Sequence, residues 1–176
     1  MSQEKAKLQE ELIIHPFAPV FDSDSRVLIL GTMPSRQSRG NGFYYGHPQN
    51  RFWIILAGLL TELPPAGTAA KREFLLRHRI ALWDVIASCK ITGSGDASIR
   101  DVAANDLNRI LSAAPIRQIF CNGAKAYALY NRYCLGQIGK EAVQLPSTSS
   151  ANAAFTSERL AAAWQTILDA LQLDRP

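Results

Sequence analysis

Four short, almost unbroken apolar runs restrict the fold more than any other feature of the chain: RVLILG (Arg26 to Gly31), IALWDV (Ile80 to Val85), IRQIFC (Ile116 to Cys121) and EAVQL (Glu141 to Leu145). A strand wetted on one face alternates apolar with polar residues, whereas runs of this kind suit parallel strands covered on both faces. Helical patterns separate them, at Asn50 to Leu60, Thr68 to Arg79, Ala104 to Ala114 and Ala124 to Cys134. A final helix sets Leu160, Trp164, Ile167, Leu168 and Leu171 on one face, with Thr156 as its N-cap. Strands alternating with helices predict an α/β fold, a three-layer α/β/α sandwich on a short, mainly parallel central sheet. With 176 residues, 47% of them hydrophobic, the chain suits a single domain over residues 1–176. Residues 1–20 open on the polar, helix-forming MSQEKAKLQEEL and are expected to form a peripheral N-terminal helix or extension.

Composition removes several classes. No apolar run approaches the roughly 20 residues that a bilayer requires, and the first residues do not resemble a signal peptide, so a soluble cytoplasmic protein with no membrane partner is expected. Cys89, Cys121 and Cys134 fit neither a paired CxxC nor the four thiolates of an iron–sulfur cluster and read as free, buried thiols. His15, His47 and His78 are scattered, so no metal site is expected. A net charge of +4 suits a phosphate-backbone partner and an ordinary solvated surface equally well.

Ligands of open parallel sheets sit beyond the carboxyl ends of the strands. Four polar segments would converge there: GTMPSRQSRGNGFYYGHPQNRFW, DVIASCKITGSGDASIR, NGAKAY and PSTSSANAAFT. Gly31 at a strand end permits close backbone approach, and the hydroxyls of Ser147, Thr148, Ser149 and Ser150 suit either a phosphate or a capped loop. Of the loop aromatics, Phe43 and one tyrosine are expected to pack the loop down, leaving one ring for stacking on a flat heterocycle. Phe52 and Trp53 begin a helix and belong to the core. Asp84 either caps the turn after its strand or faces the pocket, and Asn122 is open to the same two readings.

Taken in order, GTMP, GFYYGHPQNRFW and PSTSS resemble the motifs of the uracil-DNA glycosylase superfamily, over most of the chain from about Arg26 onward. The wording GTMPS, YYGHPQN, LWDV and PSTS resembles its hypoxanthine (deoxyinosine) branch, with a further likeness to the mismatch-specific uracil/thymine enzymes. That resemblance implies a monofunctional glycosylase, a monomer without cofactor, that flips a deaminated base out of double- or single-stranded DNA and releases it with water. By the same resemblance Asn50 is the catalytic residue, its amide oxygen orienting the water, and Tyr45 stacks on the flipped base. Gly31, Met33, Asp84 and Asn122 meet the base, with Asp84 accepting from its ring N–H and Asn122 supplying an amide. Ser35, Ser147, Thr148 and Ser149 fall to the DNA backbone. Arg36, Arg39 and Arg51 are phosphate contacts, with a structural carboxylate as the other partner for Arg51. His47 is a loop-fixing hydrogen-bonder. Met33 and Leu145 replace polar groups that other branches use, and the position of their gap-filling residue falls near Ser149. A uracil or G:U/T mismatch glycosylase, or a catalytically weak lesion-binding protein, is the alternative.

Overall fold

Val27–Gly31 is buried along its whole length, as an apolar run covered on both faces should be. In the computed structural model, which describes residues 9–93 and 96–172, it is an inner strand of a four-stranded parallel sheet. Numbered in chain order after β1 (Glu10–Ile14), that strand is β2. Beyond it come α1 (Arg36–Asn41), α2 (Phe52–Leu59), α3 (Thr68–Arg77) and β3 (Ile80–Asp84). Next are β4 (Ile86–Thr92), β5 (Arg100–Ala104), α4 (Asn108–Leu111) and β6 (Gln118–Asn122). The chain ends with α5 (Ala124–Tyr133), α6 (Leu135–Ile138), β7 (Ala142–Leu145), α7 (Ser157–Trp164) and α8 (Thr166–Gln172). The parallel order is β3-β2-β6-β7, flanked by helices, so all four expected strands and the α/β/α layering are present. α5 packs on β6 and β7, α3 on β3, α8 on β2, and α2 against α7. Phe52, Phe74, Phe120, Tyr130 and Trp164 fill the core.

Three helix expectations change. The predicted helix over 104–114 shrinks to Asn108–Leu111, because Ala104 ends a strand. The last helix is capped by Thr156, whose hydroxyl accepts from Arg159 N, but it breaks at Gln165 into α7 and α8. Where a helix was one reading of residues 1–20, Glu10–Ile14 is a strand; residues 1–8 lie outside the described residues.

The segment expected as a loop after β3 instead turns at Val85 into β4, the centre of an antiparallel sheet ordered β1-β4-β5. Its outer strands are mostly exposed and carry ion pairs, Lys90 with Asp101 at 3.0 Å and Arg100 with Glu10 at 3.0 Å, so no apolar run announces them. The cysteines are buried and form no disulfide, and burial pushes the Cys121 thiol up to about 12 and Cys134 to about 11. Among the described residues no helix is long and apolar enough to cross a membrane.

Candidate active site

Parallel register places Gly31 beside Asp84 and Asn122 beside Leu145, so the carboxyl ends of β2, β3 and β6 share one edge with the loop after β7. A cavity of about 350 Å³ opens there, within the size range of small-ligand sites. Every residue expected at the site lines it except Arg51. Gly31 is required for a reason that differs from backbone approach to a ligand. A Cβ there would stand 2.3 Å from Asp84 Oδ1 and 2.8 Å from Tyr45 Oη, so glycine makes room for two side-chain ends.

Thr148 joins the two asparagines. Its amide N–H donates to Asn122 Oδ1 at 3.0 Å, and Asn122 Nδ2 donates to Thr148 Oγ1 at 3.0 Å. The threonine hydroxyl then donates to Asn50 Oδ1 at 2.9 Å. Asn50 Oδ1 also accepts from Phe52 N at 3.0 Å, an Asx turn that leads into α2. A backbone N–H can only donate, so this contact fixes which end of the Asn50 amide is oxygen. Both lone-pair directions of that oxygen are occupied, which corrects the expectation that it holds the water. The group left for a ligand is Nδ2, which has no protein partner among the described residues.

The same network bears on two further residues. Thr148 is fully buried with its polar atoms bonded, its carbonyl accepting from Arg51 N at 3.0 Å, so its side chain is closed to a DNA backbone. Asn122 spends its oxygen and one amide hydrogen on Thr148, which leaves its second amide N–H to offer at the cavity it lines.

Asp84 is buried, and its Oδ2 lies 2.7 Å from Nε2 of His15, with side chains 5% and 3% exposed. Oδ1 has no protein partner among the described residues. Asp84 is therefore no mere turn cap: the turn is held by Asn105, whose Nδ2 donates to the carbonyls of Asp84 and Ile86. Tyr45 stacks on Phe52, with ring centroids 4.1 Å apart and planes 16° apart, and has φ 51, a left-handed conformation uncommon for an aromatic residue. Its hydroxyl is buried; burial first, then the Asp84 carboxylate, raises its pKa, the Asn122 side chain opposing, so it stays a neutral O–H. Tyr44 and Phe43 are the aromatics that pin the loop. Tyr44 Oη donates to Ala18 O at 2.9 Å, and Phe43 stacks against Trp53.

Ser35 caps α1 by accepting from Ser38 N at 3.1 Å, while Arg36 is exposed and Arg39 lies in the last turn of that helix. Ser147 and Ser149 are half-buried and accept from Ser149 N and Ala151 N. Arg51 is neither a phosphate contact nor a carboxylate partner. Its guanidinium donates to the carbonyls of Phe155, Ser149 and Asn152 at 2.5, 3.0 and 3.1 Å, clamping the loop after β7. His47 fixes its loop by accepting from Gln49 N. Met33 lines the cavity, and Leu145 is buried in the core.

Sequence reasoning missed His15, and with it the wall formed by Ile13 and Ile91 of the small sheet. His15 stands 69 positions from Asp84, and no spacing rule links them.

The chain matches the Uracil DNA glycosylase superfamily over residues 18–169. It is 35% identical over 150 residues to the hypoxanthine DNA glycosylase of Methanosarcina acetivorans, covering 84% of this chain and 94% of that one. The hypoxanthine DNA glycosylase of Methanosarcina barkeri is 35% identical over 140 residues, covering 77% and 86%. The solution NMR structure of a candidate uracil DNA glycosylase from Methanosarcina acetivorans superposes with a TM-score of 0.78 at 34% identity, over 92% of this chain and 99% of that one. With the matched region holding the cavity residues from Gly31 to Ser150, the chain belongs to the uracil DNA glycosylase superfamily.

Proposed function

We propose that this chain is a monofunctional DNA glycosylase that releases hypoxanthine from deoxyinosine in DNA. The observation that carries the reading is the cavity edge itself: an acceptor, Asp84 Oδ1, and a fixed amide, Asn50, face one small pocket in a chain whose curated relatives bear that activity. Base flipping brings the nucleotide into it, with Tyr45 as the platform and the Asp84 carboxylate accepting from the N1–H of the base. The C1′–N9 bond breaks with its electron pair going to the base, which takes up a proton. Water bonds to C1′ and gives its proton to solvent. A cation-like sugar reacts with an ordinary water that is well placed, so the requirement is position more than base strength. Asn50 meets it by donating from Nδ2 to the water oxygen. Ser35, Ser147 and Ser149 with Arg36 and Arg39 contact the DNA backbone.

A weakly catalytic lesion-binding protein is the second reading, favoured by the doubly occupied Asn50 oxygen and by Met33 in the cavity. Duplexes carrying one hypoxanthine, uracil or xanthine, or a mismatched thymine, are incubated with the protein and scored for alkali-labile sites. Cleavage at hypoxanthine is expected. Release of uracil alone overturns the base assignment, and binding without release establishes the second reading.

A further inference from the structure

We infer that His15 is a positioning residue that sets specificity, holding the Asp84 carboxylate so that it tells a deaminated base from its amino parent. The inference rests on the functional reading above and adds a residue from outside the loops that carry the motifs. Because a carboxylate oxygen accepts, the His15 Nε2 at 2.7 Å from Oδ2 carries a proton and donates it. The other ring nitrogen meets the Phe17 backbone, whose carbonyl is 3.0 Å and whose N–H is 3.2 Å away. The ring is thus anchored at both ends. Its segment is anchored too: His15 N donates to Ala87 O at 2.8 Å, Phe17 packs edge-on against Tyr44, and Val20 bridges to Leu82 of β3.

With Oδ2 committed to His15, Oδ1 beside Gly31 is the atom left for a ligand. Hydrolytic deamination turns the ring nitrogen beside the lost amine from a lone pair into an N–H: adenine N1 becomes hypoxanthine N1–H, and cytosine N3 becomes uracil N3–H. A fixed acceptor attracts the N–H and repels the lone pair, and a site built around such a bond rejects the analogue that leaves its polar group unpaired. Released from His15, the carboxylate is free to turn away, and the fixed acceptor that told the N–H from the lone pair is lost. Loss of His15 therefore slows release of the deaminated base and narrows the gap to the parent.

Single-turnover release is measured on duplexes carrying one hypoxanthine, beside undamaged adenine duplex, for the wild type, His15→Phe, His15→Gln, Asp84→Ala and the His15→Phe/Asp84→Ala double variant. His15→Phe is expected to be slower by about 100-fold, the loss that a roughly 1 Å misplacement causes, with affinity for undamaged duplex unchanged. His15→Gln, whose amide N–H reaches the same oxygen, recovers most of the rate. On the Asp84→Ala background, His15→Phe adds nothing, because it acts through that carboxylate. Full activity of His15→Phe, or equal slowing on both backgrounds, overturns the inference. Should His15→Phe fail to fold, nitrogen NMR of the wild type and Asp84→Asn decides: the His15 Nε2 signal moves if the pair exists, and an unmoved signal overturns it. A wild type that releases no base overturns the functional reading itself, visible before any variant is assayed, and this assignment falls with it.

Discussion

The two sheets of this molecule do different work. In the parallel sheet β2 and β3 are buried along their whole length, with Leu28, Ile29 and Leu30 fully buried at its centre. The antiparallel sheet has mostly exposed outer strands tied by ion pairs, and its β1 leads into His15. Hydrophobic burial stabilises in proportion to area, so the first sheet carries stability. The second contributes little area but closes the cavity with Ile13 and Ile91 and delivers the residue that holds Asp84. The lesson is that fold and site draw on different strands.

The largest expected effect tests the first half of that contrast. Ile29→Ala empties a fully buried position at the middle of the parallel sheet and should cost about 4 kcal/mol, read as a lower urea midpoint with an unchanged slope. A cost under about 1 kcal/mol would move the stability centre elsewhere. Gly31→Ala comes next. Its Cβ would stand 2.3 Å from Asp84 Oδ1, and that carboxylate is tethered by His15, so release of hypoxanthine should fall about 100-fold while most of the stability remains. A variant as active as the wild type would show that Asp84 is not held where this edge places it.

Thr148→Val keeps shape and removes one hydroxyl. Asn122 Nδ2 loses its acceptor and Asn50 Oδ1 loses one of two donors, for a cost of about 2 kcal/mol and slower release at unchanged duplex affinity. Thr148→Ser should restore both. Cys121, inside the parallel sheet, gives a pH test. Burial raises its thiol from 9.0 to about 12, so the unfolded chain loses that proton first. The contribution is complete below pH 9 and is lost as pH rises toward 12, by about 1.4 kcal/mol per pH unit. Cys121→Ala should flatten that alkaline fall in urea midpoint, and an unchanged slope would mean that the thiol is hydrated.

What was legible in the chain follows the same division. The parallel strands could be read because a strand covered on both faces leaves a continuous apolar run, and RVLILG has no helical period. EELII and RDVAA are short, carry two charges each and are mostly exposed; both pair with β4 rather than with each other, and the side-chain bond from Arg100 to Glu10 across 90 positions is written in no local pattern. The cavity residues were legible as a group because strand ends converge. Their individual bonds were not: whether Asn122 or Thr148 faces a ligand depends on which hydroxyl fits between two asparagines after folding. Arg51 shows the limit most plainly, since an arginine in a DNA-binding motif and one clamping three carbonyls look identical in sequence.

The smallest effect sharpens the other half of the contrast. Lys90 sits 3.0 Å from Asp101 and 3.9 Å from Glu10, and Asp101 above all raises its pKa, yet its side chain is 43% exposed. Exposed pairs of this kind gain little over solvation and are screened by salt. β1 and β4 also share a continuous backbone ladder from Glu10–Thr92 to Ile14–Ser88, and His15 is held by the Ala87 carbonyl. Lys90→Ala should therefore shift the unfolding temperature only slightly, with the difference vanishing by about 0.5 M salt, and leave hypoxanthine release untouched. If release falls while stability holds, the ion pairs and not the ladder set the position of His15, and the small sheet would be tuning the site through its surface charges.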